Sequence, residues 1–537
     1  MKIMRRCRKI IDMRHSTTPS STKTEQEKRI DDLEKRNMEL TTLVAWYEEQ
    51  FRLKKHQEFG ASSEKSADGQ LELPLFNEAE ITATPLEEEL EETSPEEKPT
   101  KNPRKTLEEN LPVDIVTYSL PSEEQACSSC GNDLHVMKKE IRRELQIIPA
   151  QVKIIQHERD VFACRTCEHE NILTPIVKAP MPNPVYPKSM ASPSAVAYVL
   201  TQKYMAGVPL YRQEKQFEQL GVPLSRQTLS NWVLYSAHQW FEPLVQQMKE
   251  TLVSQEVLHA DETTVQVLHE KDRAPTSTSY MWLYRTGREG PKCVLFDYQT
   301  TRAAKHPTRF LQGFKGKLQV DGYKGYEGLP NVTLSGCWAH VRRKFDQAQK
   351  AAPPKLGGQL TLAEQSLQKI GALYRIEKTI ALLDSEQRLK IRQEQSLPLV
   401  EAYFAWLKMI RPQVLPKSKF GEAIQYTLNQ QKKLMEPFKD GRLDLDNNLA
   451  ERSIKPFVIG RKNWLFSNSS RGAKASAMIY SLMETAKENR LNVFQYFMYL
   501  FETLPNSDLT NSEGLKELLP WSTELPDQCY LAQENNE

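Results

Sequence analysis

Two cysteine pairs and three acids are the residues of this chain whose types and spacing suit chemistry. Cys127 and Cys130, and again Cys164 and Cys167, each bracket two residues. That spacing lets a tight turn aim both thiolates at one ion, and two such knuckles complete a tetrahedral S4 site. Chance placement of so few cysteines gives on the order of 0.1 such pairs per chain, so two pairs predict structural Zn2+. Thiol–disulfide exchange is the rival reading, but a redox pair needs no second pair. The acids are Asp261 and Asp321, each read as ending a strand, and Glu451. Asp446 or Asn447 is placed to cap a helix with Glu451 in its second turn, on the face of Asn447 and Asn448. Each acid also has an ordinary reading. Asp261 suits a turn between two strands, Asp321-Gly322 a hairpin turn, and Glu451 with Lys455 a surface i,i+4 pair. Spacing alone leaves both readings open.

Around these residues lie groups suited to a polyanion. Between Glu451 and the next acid, Glu484, come Arg452, Lys455, Arg461, Lys462, Arg471 and Lys474, interleaved with Trp464 and Phe466. Basic groups neutralise phosphates and aromatics stack on exposed bases, which makes this strip the expected DNA contact. Arg342, Arg343 and Lys344 form a smaller cluster suited to backbone phosphates. Upstream, 210–220 reads as a helix, Gly221 as its stop, and Ser225 as the cap of a second helix over 226–237. That layout is helix-turn-helix-like, with Arg226, Gln227 and Asn231 where base contacts are made and Leu229, Trp232 and Val233 facing the core. A helical subdomain that never touches DNA fits the same pattern.

The elements that must position these residues divide the chain. At 537 residues it is long enough for three or four domains. No run reaches the roughly 18 apolar residues of a membrane span, and the start lacks a secretory signal. A soluble, cytoplasmic, multidomain protein is expected. The net charge of +2 hides segregation, because 66–100 carries eleven acids against Lys98 alone. A heptad follows the basic tail, with Ile30, Asn37, Val44 and Phe51 at a and Leu33, Leu40 and Tyr47 at d. It predicts a parallel coiled coil with its register set by Asn37, or else one amphipathic helix packed on the body. From Glu256 onward strands, a helix and a further strand predict a mixed α/β sheet. Strands at 144–148 and 152–155 are expected to form a hairpin between the cysteine pairs.

The strings HADET (259–263), QVDGYKGY (319–326), GCWAHVRRKF (336–345), DNNLAERSIKP (446–456) and IGRKNWLFSNSSRGA (459–473) resemble the DDE transposases of the insertion sequence 66 family. FGASSEK (59–65), the two cysteine knuckles and YSLMETAKENRLN (480–492) look like the same family, colinear over about 26–505. The resemblance implies a ribonuclease-H-like mixed sheet with a helical insertion, preceded by a coiled coil, a zinc-binding module and a helical, helix-turn-helix-like domain. It implies that Asp261, Asp321 and Glu451 are a catalytic triad holding two Mg2+ (or Mn2+) ions. By the same resemblance, hydrolysis releases a 3′-hydroxyl at each element end, and that hydroxyl then attacks target DNA. The Cys337–His340 spacing resembles a signature of some DDE transposases, so His340 either contacts the scissile phosphate or is a packed core histidine.

The expected domains are a tail (1–25), coiled coil (26–65), acidic linker (66–105), zinc domain (106–182) and helical DNA-binding domain (190–253). There follow the catalytic core (254–348 and 444–470) around a helical insertion (349–443), C-terminal helices (471–505) and a tail (506–537). Expected partners are the insertion-sequence ends, target DNA, a second copy of the chain and small accessory proteins of the element, at the nucleoid. A structure-selective nuclease without strand joining and a non-catalytic DNA-binding relic are the alternatives.

Overall fold

The computed structural model describes residues 25–59, 151–163, 176–352 and 360–531. The basic tail to residue 24, the acidic linker and the expected zinc ligands Cys127, Cys130, Cys164 and Cys167 lie outside those residues. The chain falls into two compact units, one of Met1–Glu72 with Gly336–Gly441 and one of Leu73–Ser335 with Arg442–Glu537.

In the second unit a short antiparallel pair comes first, β1 (Val161–Ala163) with β2 (Ile176–Lys178). The strand expected at 152–155 is not formed. Val152, Ile154 and Ile155 are exposed, unpaired with any strand among the described residues. Three helices follow, Pro193–Tyr204, Leu210–Gln219 and Arg226–Tyr235, the last running through a π-helical turn, Ser236–Phe241, into Glu242–Val253. Gly221 adopts φ +78°, a conformation that costs glycine little, and ends the second helix as its sequence suggested. Ser225 caps the third helix by accepting from the Thr228 N–H at 3.2 Å.

The main sheet is built from β3 (Val257–His269), β4 (Thr278–Thr286), β5 (Val294–Gln299), β6 (Lys317–Gln319) and β7 (Thr333–Ser335) in the order β5-β4-β3-β6-β7. The β3–β4 and β4–β5 pairs are antiparallel, whereas β3–β6 and β6–β7 are parallel. A last short strand, β8 (Ser467–Ser469), adds parallel to the far end of β3. The two strands expected over 257–268 are one. β4 pairs without a break from Leu258↔Thr286 to Gln266↔Thr278, so Asp261 sits within a strand and opens no turn. Thr263, Thr264 and Val265, all at ease in extended backbone, carry β3 through the polar stretch.

Side chains alternate across this sheet. Trp282 and Tyr284 of β4 point to one face, where Trp282 packs edge-on to Tyr326 and Tyr284 stacks 4.0 Å from Phe310. Arg285 points to the other face, toward the helices Asn448–Trp464 and Ser470–Glu488. Phe296, Phe457 and Tyr480 fill that second layer.

The other unit is helical. Trp338–Ala351, Leu362–Thr379, Leu397–Ile410 and Lys419–Asn429 bury Trp338, Phe345, Tyr403, Phe404 and Leu407. Thr361 and Glu364 form a capping box at the start of the second of these helices. The helix Glu25–Phe59 docks here near its end. Arg52 donates to the Ala351 carbonyl at 3.0 Å, and Glu49 accepts from the Lys419 N–H at 2.8 Å. Among the described residues no helix is long and apolar enough to cross a membrane.

Candidate functional site

Register decides which side chains of the second unit can meet. His259 and Asp261 of β3 lie opposite Arg285 and Leu283 of β4, so both share the face on which the helix Asn448–Trp464 packs. His259 also pairs with Gln319, the last residue of β6, and Asp321 follows two residues later, just past the end of the strand. Asp321 is fixed locally, its Oδ1 accepting from the Tyr323 N–H at 2.8 Å, so Asp321-Gly322 makes no hairpin. Glu451 stands in the first turn of its helix, one turn earlier than the sequence suggested, because the helix starts at Asn448.

These placements bring Asp321 and Glu451 within electrostatic reach of Asp261. Burial pushes the Asp261 carboxyl up to about 8, and the neighbouring Glu262, Asp321 and Glu451 carboxylates push the same way, against one bond from the Glu262 N–H. A buried carboxyl with further acids beside it suits a shared proton or a cation.

Glu262 carries no signal of its own in the sequence, although it lies inside HADET. It projects to the opposite face of β3 beside Trp282, accepts from the Tyr326 hydroxyl at 2.6 Å and pairs with the Arg302 guanidinium. Burial raises its pKa, while Tyr326 and Arg302 oppose the rise.

The glutamate helix is held by several long-range bonds. Arg285, nearly fully buried, donates to Ser453 Oγ at 2.5 Å, to the Leu449 carbonyl at 3.3 Å and to Glu488 at 3.0 Å. Asn447 and Asp444, just before the helix, bond to His259, Ala260 and Gln319. Burial lowers the His259 pKa to about 4, so this imidazole is neutral at physiological pH.

Of the basic strip, Arg452, Lys455, Lys462 and Arg471 are exposed. Arg461 lies against β3, donating to the Thr264 carbonyl and to Thr264 Oγ1 at 3.1 Å. Trp464 packs edge-on to Phe457, whereas Phe466 is exposed. Arg226, Gln227 and Asn231 are exposed on the capped helix, the last two hydrogen bonded to each other at 3.0 Å, while Leu229, Trp232 and Val233 are buried. His340 lies in the helical unit, in the first turn of Trp338–Ala351. Its Nε2 is 3.3 Å from Arg343, and Arg342 is half-buried beside it.

Residues 124–168 match a zinc-finger binding domain of IS66 transposases. That span contains Cys127, Cys130, Cys164 and Cys167 and supports a structural zinc. Residues 46–116 match the family described as Transposase C of IS166 homeodomain, and 481–521 match an IS66 C-terminal element. Three Sinorhizobium fredii (strain NBRC 101917 / NGR234) proteins are similar at 29% identity. Uncharacterized protein y4hP is covered over 86% of both chains. Uncharacterized protein y4jD aligns over 77% of this chain and 81% of its own, and uncharacterized protein y4qI over 74% of each. The Transposase IS66 family matches 188–475, more than half of the sequence and the whole span from Asp261 to Glu451, and the chain belongs to that family.

Proposed function

We propose that this protein binds the ends of its insertion sequence, cleaves them by metal-dependent hydrolysis and joins the released 3′-hydroxyls to target DNA. The observation that carries the reading is the convergence of acids on Asp261, which lies on the face of β3 where the Glu451 helix packs and whose charge is felt by both Asp321 and Glu451. Asp321 and Glu451 reach it from the loop just after β6 and from a helix, so the cluster is not a local accident of one loop.

The sheet order β5-β4-β3-β6-β7, antiparallel in its first three strands and parallel beyond, supports a ribonuclease-H-like core. The donor set suits hard cations, since carboxylate oxygens are the ligands Mg2+ and Mn2+ prefer. Asp261, Asp321 and Glu451 would hold a pair of such ions. When bound, they supply an activated water and neutralise charge on the attacking and leaving oxygens. No protein nucleophile is needed.

The remaining residues bind DNA. Arg452, Lys455, Arg461, Lys462 and Arg471 engage backbone phosphates next to the acids, and exposed Phe466 offers a stacking surface. Arg226, Gln227 and Asn231 present an exposed polar face suited to base edges. His340, Arg342 and Arg343 extend the basic surface of the helical unit.

Incubating the protein with labelled element ends, a target plasmid and Mg2+ tests the reading. Strand-transfer products from wild type, with Asp261→Asn, Asp321→Asn and Glu451→Gln each at background but still binding the ends, are expected. Cleavage without joining points to a structure-selective nuclease, and end binding with neither activity to a DNA-binding relic. Full cleavage by one of the variants removes that residue from the triad.

A further inference from the structure

Each of the three acids has a buried polar residue a short, fixed step before it. His259 precedes Asp261 by two, Gln319 precedes Asp321 by two, and Asn447 precedes Glu451 by four. Two residues along a strand return to the same face, which puts His259 beside Asp261; Gln319 ends β6 just before Asp321, and Asn447 is the N-cap of the helix that carries Glu451. The three companions are 0%, 0% and 1% exposed; Asn447 is joined to His259, and Gln319 to the Asp444 backbone. Asn447 Nδ2 donates to the Ala260 carbonyl at 2.8 Å, and its Oδ1 lies 2.9 Å from His259 Nδ1. A carbonyl only accepts, so the Asn447 amide has one workable orientation and His259 Nδ1 must carry the ring proton. Gln319 closes a two-bond ring with the Asp444 backbone, donating to its carbonyl at 2.6 Å and accepting from its N–H at 3.2 Å. The Asp444 carboxylate takes Arg288 Nε at 2.5 Å and lies 3.9 Å from His259 Nε2.

Asn447 is the informative member. It occupies the N-cap position of the glutamate helix, where an asparagine side chain ordinarily accepts from the first turn. Here it makes no capping bond. Asp446 Oδ1 takes the Asn448 N–H instead, at 3.1 Å, and the Asn447 amide is spent on β3, whose residue 261 is an acid.

We propose that Asn447 and His259 are a positioning pair that sets the Glu451 carboxylate against Asp261 for metal binding, with Asp444 and Gln319 doing the same for Asp321. This rests on the reading of the three acids as a metal site. A pair that only pins the helix affects unfolding but not metal affinity, whereas residues that orient ligands change affinity roughly 10–100-fold.

The test is Mn2+ titration of the full-length protein by calorimetry, with metal-free thermal unfolding of each variant alongside. Asn447→Ala and His259→Leu are expected to weaken Mn2+ binding by about 10–100-fold. His259→Asn is expected to stay within about threefold of wild type, because its amide nitrogen can stand where Nδ1 does and still donate to Asn447. If Asn447→Ala does not fold, the His259→Leu and His259→Asn comparison carries the test, since both leave the Asn447–Ala260 bond in place. Wild-type affinity in His259→Leu, or equal weakening in His259→Leu and His259→Asn, overturns the proposal. Wild type that binds no Mn2+, or Asp261→Asn that binds it as well as wild type, removes the metal site itself and the pair's role with it.

Discussion

The Arg302 guanidinium pairs with Glu262 and lies 3.7 Å from the centre of the Tyr323 ring, on the face of β3 opposite Asp261. The Glu262 side chain is 2% exposed, and Asp321 raises its pKa further, so Arg302 offsets charge that the acid cluster would otherwise have to bear. Tyr323 joins the same network, its hydroxyl donating to the Arg302 carbonyl while its N–H holds Asp321. Removing the cation should leave a buried carboxylate uncompensated. Breaking a fully buried pair costs about 3–5 kcal/mol, and the partial exposure of Arg302 reduces the expected loss for Arg302→Ala to about 1–3 kcal/mol. Glu262→Gln added to Arg302→Ala should restore most of it. Urea unfolding of the single and double variants checks this, and a double variant no more stable than Arg302→Ala argues against charge compensation.

The Asp261 carboxyl gives a pH dependence with a definite sign. It is held up to about 8 in the folded protein, against about 3.9 for an unperturbed aspartate. Between those values the folded chain keeps a proton that the unfolded chain has released. The contribution of Asp261 to metal-free stability therefore falls as pH rises from roughly 4 to 8, and Asp261→Asn should flatten that fall. Metal binding must displace the same proton, so Mn2+ affinity should climb about tenfold per pH unit below 8 and level off above it. Calorimetry at pH 6, 7 and 8 measures the slope. A flat profile excludes Asp261 as the group that titrates on binding.

Local signals in the sequence are reliable where the physics is local. Ser225 caps its helix and Gly221 ends the one before it, as the residue types require. The strings around Asp261, Asp321 and Glu451 mark the acids, but their meeting depends on strand order and register, which no spacing encodes. Asn447 reads as a cap because asparagine caps helices, and only the fold shows its amide turned toward His259, 188 residues earlier. Glu262 is masked in the sequence by its neighbour Asp261. The pleat that separates adjacent residues sends it to the other face, where Arg302 and Tyr326 wait.

Arg461 and Lys462 occupy different settings, and their variants should separate. Arg461 is anchored on β3 through Thr264, whereas Lys462 is exposed. Abolishing one charge–phosphate interaction should lower the slope of log affinity against log salt by about 0.9 on duplex DNA. Lys462→Glu should weaken binding at every sequence and flatten the slope by about that amount, and Arg461→Glu with Lys462→Glu by about twice as much. Fluorescence anisotropy across a salt series distinguishes these values. Wild-type affinity and slope in the double variant would show that the strip does not touch DNA.

The helix Glu25–Phe59 exposes the apolar positions of its heptad. Ile30, Leu33, Leu40, Val44, Tyr47 and Phe51 are all exposed, although the helix docks on its own unit through Glu49 and Arg52. Met38, Leu43 and Trp46 of the same helix are exposed as well, and a second copy of the chain is the cover that the heptad predicts for the a and d positions. Asn37, at an a position within the stripe, would set a parallel, in-register pair at some cost in stability. Sedimentation velocity should therefore find wild type as a dimer or larger. Leu33→Lys with Leu40→Lys, which places like charges at two facing d layers, should shift it to monomer without unfolding the sheet. Asn37→Ile should tighten association while loosening its register and stoichiometry. Monomeric wild type at every concentration, with and without DNA, would leave the stripe as the face of a helix that never pairs.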